Sequence, residues 1–345
     1  GEIYQFVNAE LISGFTSRRF FQTADGDVWI SSANYLLQIE DGILKVHSSD
    51  EGLPNVMGRM ADDVAGNLWI GGYNGLARLD RNGLITFGKE DGSFSSQFFG
   101  ITEGPDGAIS LATSSTNVTG FDGSRLISVR PSIPVNATQT WTSRFVFRDS
   151  RGDFWVLTTG NLYRFSGVGN LKDLDGKLPS KVYNVNDGLK SDIMFQIFED
   201  SKGDIWVSTR GGSSGLHGLA RLKKGEEKFR AFSEADGFPS GTSPSSFVED
   251  RNGNIWIGFY EGGFARFDGE RFDVLSGYEG FPAKGVISDL LLDSKGRLWL
   301  SSTSAGIFRI DDISAKQPGY VPISTENGLS SNNVRTLTED VFGRI

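Results

Sequence analysis

Four arginines stand at fixed distances before tryptophan residues, and their side chains are the best suited in this sequence to hold an anion. Arg19 and Arg59 each precede a tryptophan by ten residues, and Arg18 and Arg144 each precede one by eleven. A guanidinium group binds carboxylate, sulfate or phosphate through two parallel hydrogen bonds. The spacing therefore predicts an anion-binding position, with an acidic sugar as one candidate ligand. The alternative is that these arginines pair with neighbouring carboxylates.

Other polar side chains occupy the same position relative to tryptophan elsewhere in the chain. Gln196 and Asp289 lie ten residues before Trp206 and Trp299. The position nine residues before the tryptophan column is apolar in every repeat. It is occupied by Phe20, Met60, Ile101, Val146, Ile197, Phe247 and Leu290. A polar, arginine-rich layer above an apolar layer is what a ligand site at a channel mouth requires. This prediction depends on strand alignment, because a slip of one residue reverses the side chains that point inward.

Residues that could support catalysis are few. The chain has two histidines, His47 and His217, and no cysteine. A histidine-based triad, a multi-histidine metal site and a thiolate site are therefore disfavoured. His47 falls in an outer-strand pattern and is predicted to be a surface residue. Aspartate recurs at one turn position, which indicates a structural role. We expect no catalytic residue, no metal and no cofactor.

The composition is typical of an acidic, soluble globular protein. The formal net charge of −9 at pH 7 argues against nucleic acid as a partner, since phosphate binding needs a basic face. No apolar run approaches the roughly 18 residues that cross a bilayer, and no signal peptide is present. Gly1 resembles a residue left after removal of a tag. We therefore expect a fragment of a larger protein that makes no membrane contact itself.

An internal repeat supplies the elements that position these residues. The unit reads D-x-x-G-x-h-W-h, where h is apolar, and its first complete copy spans residues 63–70 (DVAGNLWI). Six of the seven tryptophans fall in this column, at intervals of 40 to 51 residues when Ser110 is counted in the place of a lost tryptophan. Those tryptophans are Trp29, Trp69, Trp155, Trp206, Trp256 and Trp299. The first copy carries Thr23 and the degenerate third copy carries Gly104 where the other five carry aspartate.

Each repeat contains four short strands. An apolar stretch leads into the Asp-x-x-Gly turn, and a tryptophan strand, a Gly-Leu-x-Arg strand and a short aromatic strand follow. The 45 glycines fit many tight turns between such strands. Four strands per repeat are typical of the blades of a β-propeller. We predict one all-β domain over residues 1–345, a β-propeller of four-stranded blades, with seven blades favoured and eight as the alternative.

The loops between the second and third strands of each blade are predicted to share a face with the start of the first strand. Loops on a rigid scaffold often carry function. These loops contain Tyr73, Tyr260 and Arg210, which begins an insertion over residues 210–217 (RGGSSGLH). Tyrosine rings can stack on sugars, and arginine can bind an acid. A tolerated surface insertion and ordinary exposed aromatic residues are the alternative interpretation.

The unit resembles the two-component regulator propeller repeat, whose consensus is similar to GLP-S-N-x-V-x-x-I-x-x-D-x-x-G-x-L-W-I-G-T-x-x-G-L. The linker element is visible at residues 51–55 (EGLPN) and returns at 187–189, 236–239, 279–282 and 326–329. The resemblance covers nearly the whole chain and is weakest around the third repeat. It implies a periplasmic sensor region of a histidine kinase, hybrid kinase or diguanylate cyclase, tethered to the inner membrane in the full-length protein.

The two ends of the chain leave the closure of the ring open. Residues 4–7 resemble an outer strand, and residues 333–345 begin an eighth copy of the repeat. In one interpretation the N-terminal strand completes the seventh blade, and residues 320–345 begin a following blade or a second propeller. In the other, both ends share an eighth blade.

The resemblance implies a non-enzymatic sensor. Its partner would be a small molecule or oligosaccharide, its signal would pass to an output domain outside this sequence, and the full-length protein would self-associate. One alternative is a lyase or hydrolase acting at the channel mouth, since streptogramin lyases use related repeats around a histidine-bearing, metal-assisted centre. The other is a protein-interaction scaffold. Propeller folds host all three classes, so the fold alone does not choose among them.

Overall fold

The computed structural model describes residues 19–23, 26–32, 34–40, 43–55, 60–63, 65–80, 83–95, 97–103, 109–113, 117–121, 125–134, 137, 146–211, 216–275, 285–316, 318–329, 331–340 and 343–345. These residues form 28 strands and six 3-10 helices of three or four residues. None of the helices in this part of the chain is long and apolar enough to cross a bilayer. The strands form seven four-stranded antiparallel sheets, each in sequential order. The predicted all-β propeller of seven four-stranded blades is confirmed.

Contacts divide the described residues into two compact units, one ending at Val182 and one beginning at Tyr183. The first unit holds blades one to four. Their strands are β1 (Arg19–Gln22), β2 (Val28–Ser31), β3 (Tyr35–Glu40), β4 (Ile43–Ser48), β5 (Met60–Asp62), β6 (Leu68–Gly71), β7 (Leu76–Asp80), β8 (Gly83–Phe87), β9 (Phe98–Glu103), β10 (Ile109–Thr113), β11 (Val118–Phe121), β12 (Leu126–Val129), β13 (Val146–Arg148), β14 (Phe154–Leu157), β15 (Leu162–Phe165) and β16 (Lys181–Tyr183). Its 3-10 helices are η1 (Ser49–Glu51), η2 (Lys89–Asp91) and η3 (Leu171–Leu174).

The second unit holds blades five to seven. Their strands are β17 (Met194–Glu199), β18 (Ile205–Thr209), β19 (Gly218–Leu222), β20 (Arg230–Ala231), β21 (Pro244–Glu249), β22 (Ile255–Phe259), β23 (Phe264–Phe267), β24 (Phe272–Val274), β25 (Ile287–Leu292), β26 (Leu298–Ser302), β27 (Gly306–Ile310) and β28 (Val321–Ile323). Its 3-10 helices are η4 (Val185–Asp187), η5 (Glu234–Asp236) and η6 (Thr325–Asn327).

The Asp-x-x-Gly turn ties the backbone of each hairpin to its tryptophan. In blade six the Oδ1 of Asp250 accepts the N–H groups of Asn252 and Asn254 at 2.9 and 3.0 Å. Its Oδ2 accepts the indole N–H of Trp256 at 2.9 Å. Gly253 has a φ of 79°, a left-handed conformation that glycine adopts without a steric cost from Cβ. The same contacts recur at Asp63, Asp149, Asp200 and Asp293.

In five blades the buried tryptophan also faces an arginine on the neighbouring strand of its own blade, whereas Trp29 of blade one faces Gln38. Trp206 pairs with Arg221 across β18 and β19, and the guanidinium carbon lies 5.1 Å from the ring centre. Cation–π contacts of this kind stabilise the packing of the indole within its blade. The arginine of the Gly-Leu-x-Arg strand therefore belongs to the blade core. The equivalent pairs are Trp69–Arg78, Trp155–Arg164, Trp256–Arg266 and Trp299–Arg309.

Blade one departs from this pattern because Thr23 replaces the aspartate. The backbone turn is retained, since the N–H of Gly26 donates to the carbonyl of Thr23 at 2.9 Å. The hydroxyl of Thr23 donates to the carbonyl of Asp27 at 3.2 Å. The indole Nε1 of Trp29 is buried without a hydrogen-bond partner among the described residues. The ring of His47 lies 5.7 Å from the indole and its side chain is 23% exposed, so this outer-strand residue lies at the surface and packs one side against the core.

We expect Thr23→Asp to stabilise the protein by about 1 kcal/mol, because a carboxylate there would accept the orphaned indole N–H of Trp29. Chemical denaturation followed by fluorescence measures the change. Thr23→Val is the matched control, since it adds no acceptor. The gain should be smaller when Trp29→Phe is combined with Thr23→Asp, because only bonds to the backbone of the turn would then remain. An equal gain in the double variant would contradict the explanation.

Residues 331–340 pack on blade seven through contacts of the same kind as those between other consecutive blades. The backbone N–H of Val334 donates to the carbonyl of Ser302 at 2.9 Å. Glu339 accepts from the N–H and Oγ of Ser294, both at 2.6 Å, as Glu249 of blade six does from Ser201 of blade five. That this segment begins a following blade or a second propeller stays a prediction.

Candidate ligand-binding site

The first strands of blades five, six and seven each contain a β-bulge at the end where the linker enters. The register shifts between Met194 and Gln196, and at the corresponding points of the other two blades. A bulge sets two residues against one on the partner strand, so strict inward–outward alternation fails there. The extra residues are Phe195, Ser245 and Ser288. They hold the position eleven residues before tryptophan that the sequence predicted to line a mouth.

Two of these bulge residues join neighbouring blades. The Oγ of Ser245 donates to the carbonyl of Ile287 at 2.6 Å, and that of Ser288 donates to the carbonyl of Val334 at 2.7 Å. Phe195 has no hydroxyl and instead contacts Tyr260 with its ring, 5.9 Å between centres and nearly perpendicular. This position therefore carries inter-blade bonds in blades six and seven and an aromatic surface in blade five.

Of the polar residues predicted to line the mouth, the structure describes the side chains of some and not of others. Gln196 and Asp289 are half-buried, and Asp289 accepts the backbone N–H of Leu337 at 3.0 Å, so it helps to hold the docked segment. Arg18, Arg59 and Arg144 lie outside the described residues, as does the side chain of Arg19, whose backbone is in β1. The predicted arginine site therefore stays a prediction. In the apolar layer Met60, Ile101, Val146, Ile197 and Leu290 are buried, and Phe247 is partly exposed.

Arg210 and Tyr260 meet at the loop ends of blades five and six. The guanidinium carbon of Arg210 lies 3.4 Å from the centre of the Tyr260 ring and 5.5 Å from that of Phe195. Both Arg210 and Tyr260 are half-buried. A guanidinium stacked on an aromatic face keeps its N–H groups in its own plane, where a carboxylate can still reach them.

One structural position explains why these two residues meet. Each is the fourth residue after the tryptophan of its blade. The backbone N–H of Arg210 donates to the backbone carbonyl of Ile193 at 3.0 Å. The backbone N–H of Tyr260 donates to the backbone carbonyl of Ser243 at 2.8 Å. Tyr73 makes the same contact in blade two and is 45% exposed. The sequence had singled out all three residues, but not their equivalence.

A polar cluster lies directly beside Tyr260. Glu261 accepts the backbone N–H of Ser243 at 2.6 Å and its hydroxyl at 3.1 Å. The Nδ1 of His217 lies 2.5 Å from the same hydroxyl and 3.6 Å from the Glu261 carboxylate. Ser243 is fully buried, whereas the other two side chains are about 30% exposed. The cluster joins the insertion loop of blade five to blade six.

The geometry of this cluster differs from that of a serine nucleophile and its base. A carboxylate only accepts, so the Ser243 hydroxyl donates to Glu261, and the Nδ1–H of His217 then donates to Ser243. A general base must instead accept the serine proton while the acid holds its other ring nitrogen. Across the described ranges, no three histidine, aspartate or glutamate side chains form a group that could hold a metal ion.

Phe195, His217 and Glu261 lie in the strand position and loops that the sequence analysis assigned to this face, but they were not predicted as ligand-binding residues. Ser243 was not singled out at all, because the sequence gave no indication of it. This residue lies in the linker before β21, and only the fold brings it against Tyr260 and Glu261 in the loop of the same blade.

A family model matches two segments that contribute residues to this site. Residues 188–211 and 237–261 match the model described as two component regulator propeller. These two segments of the chain are therefore similar to the two-component regulator propeller repeat. The resemblance predicted from the sequence is confirmed, and Arg210, Ser243, Tyr260 and Glu261 all fall within the matched segments. A comparison with curated proteins found no match.

Solved structures share the fold at low sequence identity. The extracellular domain of a putative hybrid two component system from B. thetaiotaomicron is 17% identical with a TM-score of 0.59, over 91% of this chain and 49% of that one. PorZ, a surface component of the type-IX secretion system of Porphyromonas gingivalis, is 15% identical with a TM-score of 0.57, over 94% and 54%. Virginiamycin B lyase from Staphylococcus aureus is 15% identical with a TM-score of 0.56, over 84% and 92%. The chain thus spans about half the length of the B. thetaiotaomicron domain.

Proposed function

We propose that this chain is the extracytoplasmic, non-enzymatic sensor propeller of a bacterial signal-transduction protein, and that blades five and six bind its ligand. The stack of Arg210 on Tyr260 carries the proposal, because it presents a cation and an aromatic surface together within the two family-matched repeats. In the full-length protein the propeller would be periplasmic and tethered to the inner membrane. The similarity in fold to a domain named as extracellular supports that location.

The side chains suit a small molecule or oligosaccharide that carries an acidic group. The guanidinium of Arg210 would take the carboxylate, and the rings of Tyr260 and Phe195 would pack against the apolar face of a sugar. Glu261 and His217 would exchange hydrogen bonds with hydroxyl groups at the edge. The negative charge of the ligand would be offset locally by the guanidinium of Arg210.

A ligand in this place would contact two blades at once. Arg210 and His217 belong to the loop of blade five, whereas Tyr260 and Glu261 belong to that of blade six. Ligand binding would therefore favour one arrangement of the two loops over others, which is what a signal requires. That change would pass to an output domain outside this sequence, with self-association of the full-length protein as a further part of the proposal.

A propeller lyase or hydrolase is the second candidate. The fold similarity to virginiamycin B lyase and the contact between His217 and Ser243 favour it. The direction of the hydrogen bonds at Ser243 disfavours a serine mechanism. A protein-interaction scaffold is the remaining alternative, and the experiment below separates it from both.

A thermal-shift screen against acidic and neutral oligosaccharides, small organic acids and divalent metals tests the proposal. A ligand at 100 times its dissociation constant stabilises the native state by about 2.7 kcal/mol. We expect an acidic ligand to give such a shift, and the double substitution Arg210→Ala and Tyr260→Ala to weaken its binding by about tenfold or more, since a charged hydrogen bond contributes about 1.5–3 kcal/mol. Arg271→Ala, in the turn at the opposite end of blade six, is the matched control.

Each outcome of this screen decides between the candidates. A shift that survives the double substitution would remove the site from blades five and six, and the pair Arg19→Ala and Arg59→Ala would then test the site predicted from the sequence. Turnover of the bound compound would favour the enzyme. No shift with any compound would favour the scaffold.

A further inference from the structure

Blade three has lost both members of the tryptophan–arginine pair that fills five of its sister blades. Ser110 stands in the tryptophan position and Gly120 faces it across β10 and β11, whereas elsewhere an arginine faces a tryptophan. Replacing an indole and a guanidinium by a hydroxymethyl group and a hydrogen removes most of the side-chain volume between blades three and four. Protein interiors do not tolerate such voids without a cost in stability, so the neighbouring chain must fill the space or a ligand can use it.

A crevice of about 350 Å³ occupies this place. Small-molecule sites commonly begin at about 300 Å³. Ser110, Gly120 and Ile127 of blade three form one wall, and Phe154 and Arg148 of blade four contribute to the other. The buried Phe154 ring is 2% exposed. The crevice thus lies where other blades hold an indole, and its lining is mostly apolar.

A long insertion in blade four forms the remaining wall. It joins β15 to β16 and includes η3, whose Leu171 reaches the backbone of Gly120 so closely that a Cβ there would lie 2.5 Å from its methyl group. The insertion is fixed to blade three, since Asp175 accepts the N–H of Arg130 at 2.9 Å and the N–H of Gly176 donates to the Arg130 carbonyl at 2.8 Å. Leu171 therefore fills only part of the space, and the wall is held in place.

The polar groups around the crevice favour a negative charge. Arg148 and Lys172 are among its lining residues, and the guanidinium carbon of Arg148 lies 5.1 Å from the ring of Phe154. Asp173 follows Lys172 on η3, but its carboxylate accepts the N–H groups of Gly169 and Asn170, both at 3.0 Å. Of the described residues that line the crevice, two are basic and none is acidic.

We propose that this crevice binds a planar aromatic carboxylate of about the size of an indole. The aromatic ring takes the place that tryptophan occupies in the sister blades, against Ile127 and Phe154. The carboxylate reaches Lys172 and Arg148 at the rim. This site lies in the first unit, between blades three and four, so it does not depend on the ligand proposed for blades five and six.

Calorimetric titration with indole-3-acetate, and with neutral indole for comparison, tests this site. We expect Ser110→Trp to fill the crevice and weaken the binding of both compounds at least tenfold, while raising the unfolding temperature. We expect Lys172→Ala to weaken only indole-3-acetate, by about two- to fivefold as for an exposed ion pair. Lys177→Ala, on the same insertion but outside the lining, is the matched control and should leave both affinities unchanged.

The two lysine variants keep the test decisive even if Ser110→Trp does not fold. The proposal is overturned if neither compound binds at millimolar concentration, or if a folded Ser110→Trp protein binds as well as the parent. It is also overturned if Lys172→Ala and Lys177→Ala have equal effects on indole-3-acetate, because the charge at the rim would then play no part.

Discussion

Trp206→Ala is expected to lower the free energy of unfolding by about 4 kcal/mol, within the range for deletion of a buried tryptophan. The indole is fully buried and stacks on Phe232 with 5.5 Å between ring centres. It also meets Phe267 of the next blade edge-on at 5.3 Å. Its removal would therefore leave a cavity between blades five and six that rigid sheets cannot close. Guanidinium denaturation followed by circular dichroism measures the loss.

Two variants make this first expectation specific. Val185→Ala removes an apolar side chain that is 50% exposed and should change stability by less than about 0.5 kcal/mol. Trp206→Phe keeps an aromatic ring but loses the hydrogen bond from the indole to Asp200, 2.9 Å long, so its cost should be intermediate. A loss below about 1.5 kcal/mol for Trp206→Ala would show that the blades can repack around the gap.

Asp250→Ala should cost about 3 kcal/mol, because it removes the acceptor of one buried and several partly buried hydrogen bonds. The carboxylate, in a residue that is 5% exposed, receives two backbone N–H groups, the Asn254 amide and the Trp256 indole. Alanine would leave these donors without their partner. Denaturant unfolding measures the change.

A double-mutant cycle with Trp256→Phe separates the indole bond from the turn. If the carboxylate acts partly through the indole, the two substitutions together should cost less than the sum of their separate costs. Asp268→Ala is the matched control, since Asp268 accepts two backbone N–H groups in an exposed turn of the same blade. Equal losses at the two aspartates would contradict the role given to the buried turn.

The same turn predicts how stability depends on pH. Burial by itself would raise the pKa of Asp250, but hydrogen bonds from Asn254, Trp256 and the backbone outweigh it, so the pKa lies below its usual value. The pKa values of Asp63 and Asp293 are lowered for the same reasons. A folded pKa below the unfolded value of about 3.9 adds stability that is complete above that pH.

This contribution is lost as the pH falls through the folded pKa values. We therefore expect the unfolding temperature to decline below about pH 4, and Asp250→Asn to reduce the steepness of that decline because it removes one titrating group. An unchanged pH profile in Asp250→Asn would show that other carboxylates dominate acid unfolding.

The sequence by itself determined the blades. The Asp-x-x-Gly turn and its tryptophan lie six residues apart, as in Asp250 and Trp256, and the strands that follow pair as neighbours. Such contacts depend on local geometry and repeat with the sequence, so the repeat predicts the four-stranded sheets. It also placed Arg210 and Tyr260 in the loops that meet the start of the first strand.

Only the tertiary structure decided which side chains meet. Arg210 and Tyr260 stand 50 residues apart, and their stacking follows from the packing of one blade on the next. In blades five to seven the bulges at Phe195, Ser245 and Ser288 interrupt the strict strand alternation. The loss of a tryptophan at Ser110 was visible in the sequence, but the crevice exists because the insertion carrying Leu171 fills the space only in part. Contacts between blades depend on side-chain volume and on the exact strand register, and neither follows from the repeat alone.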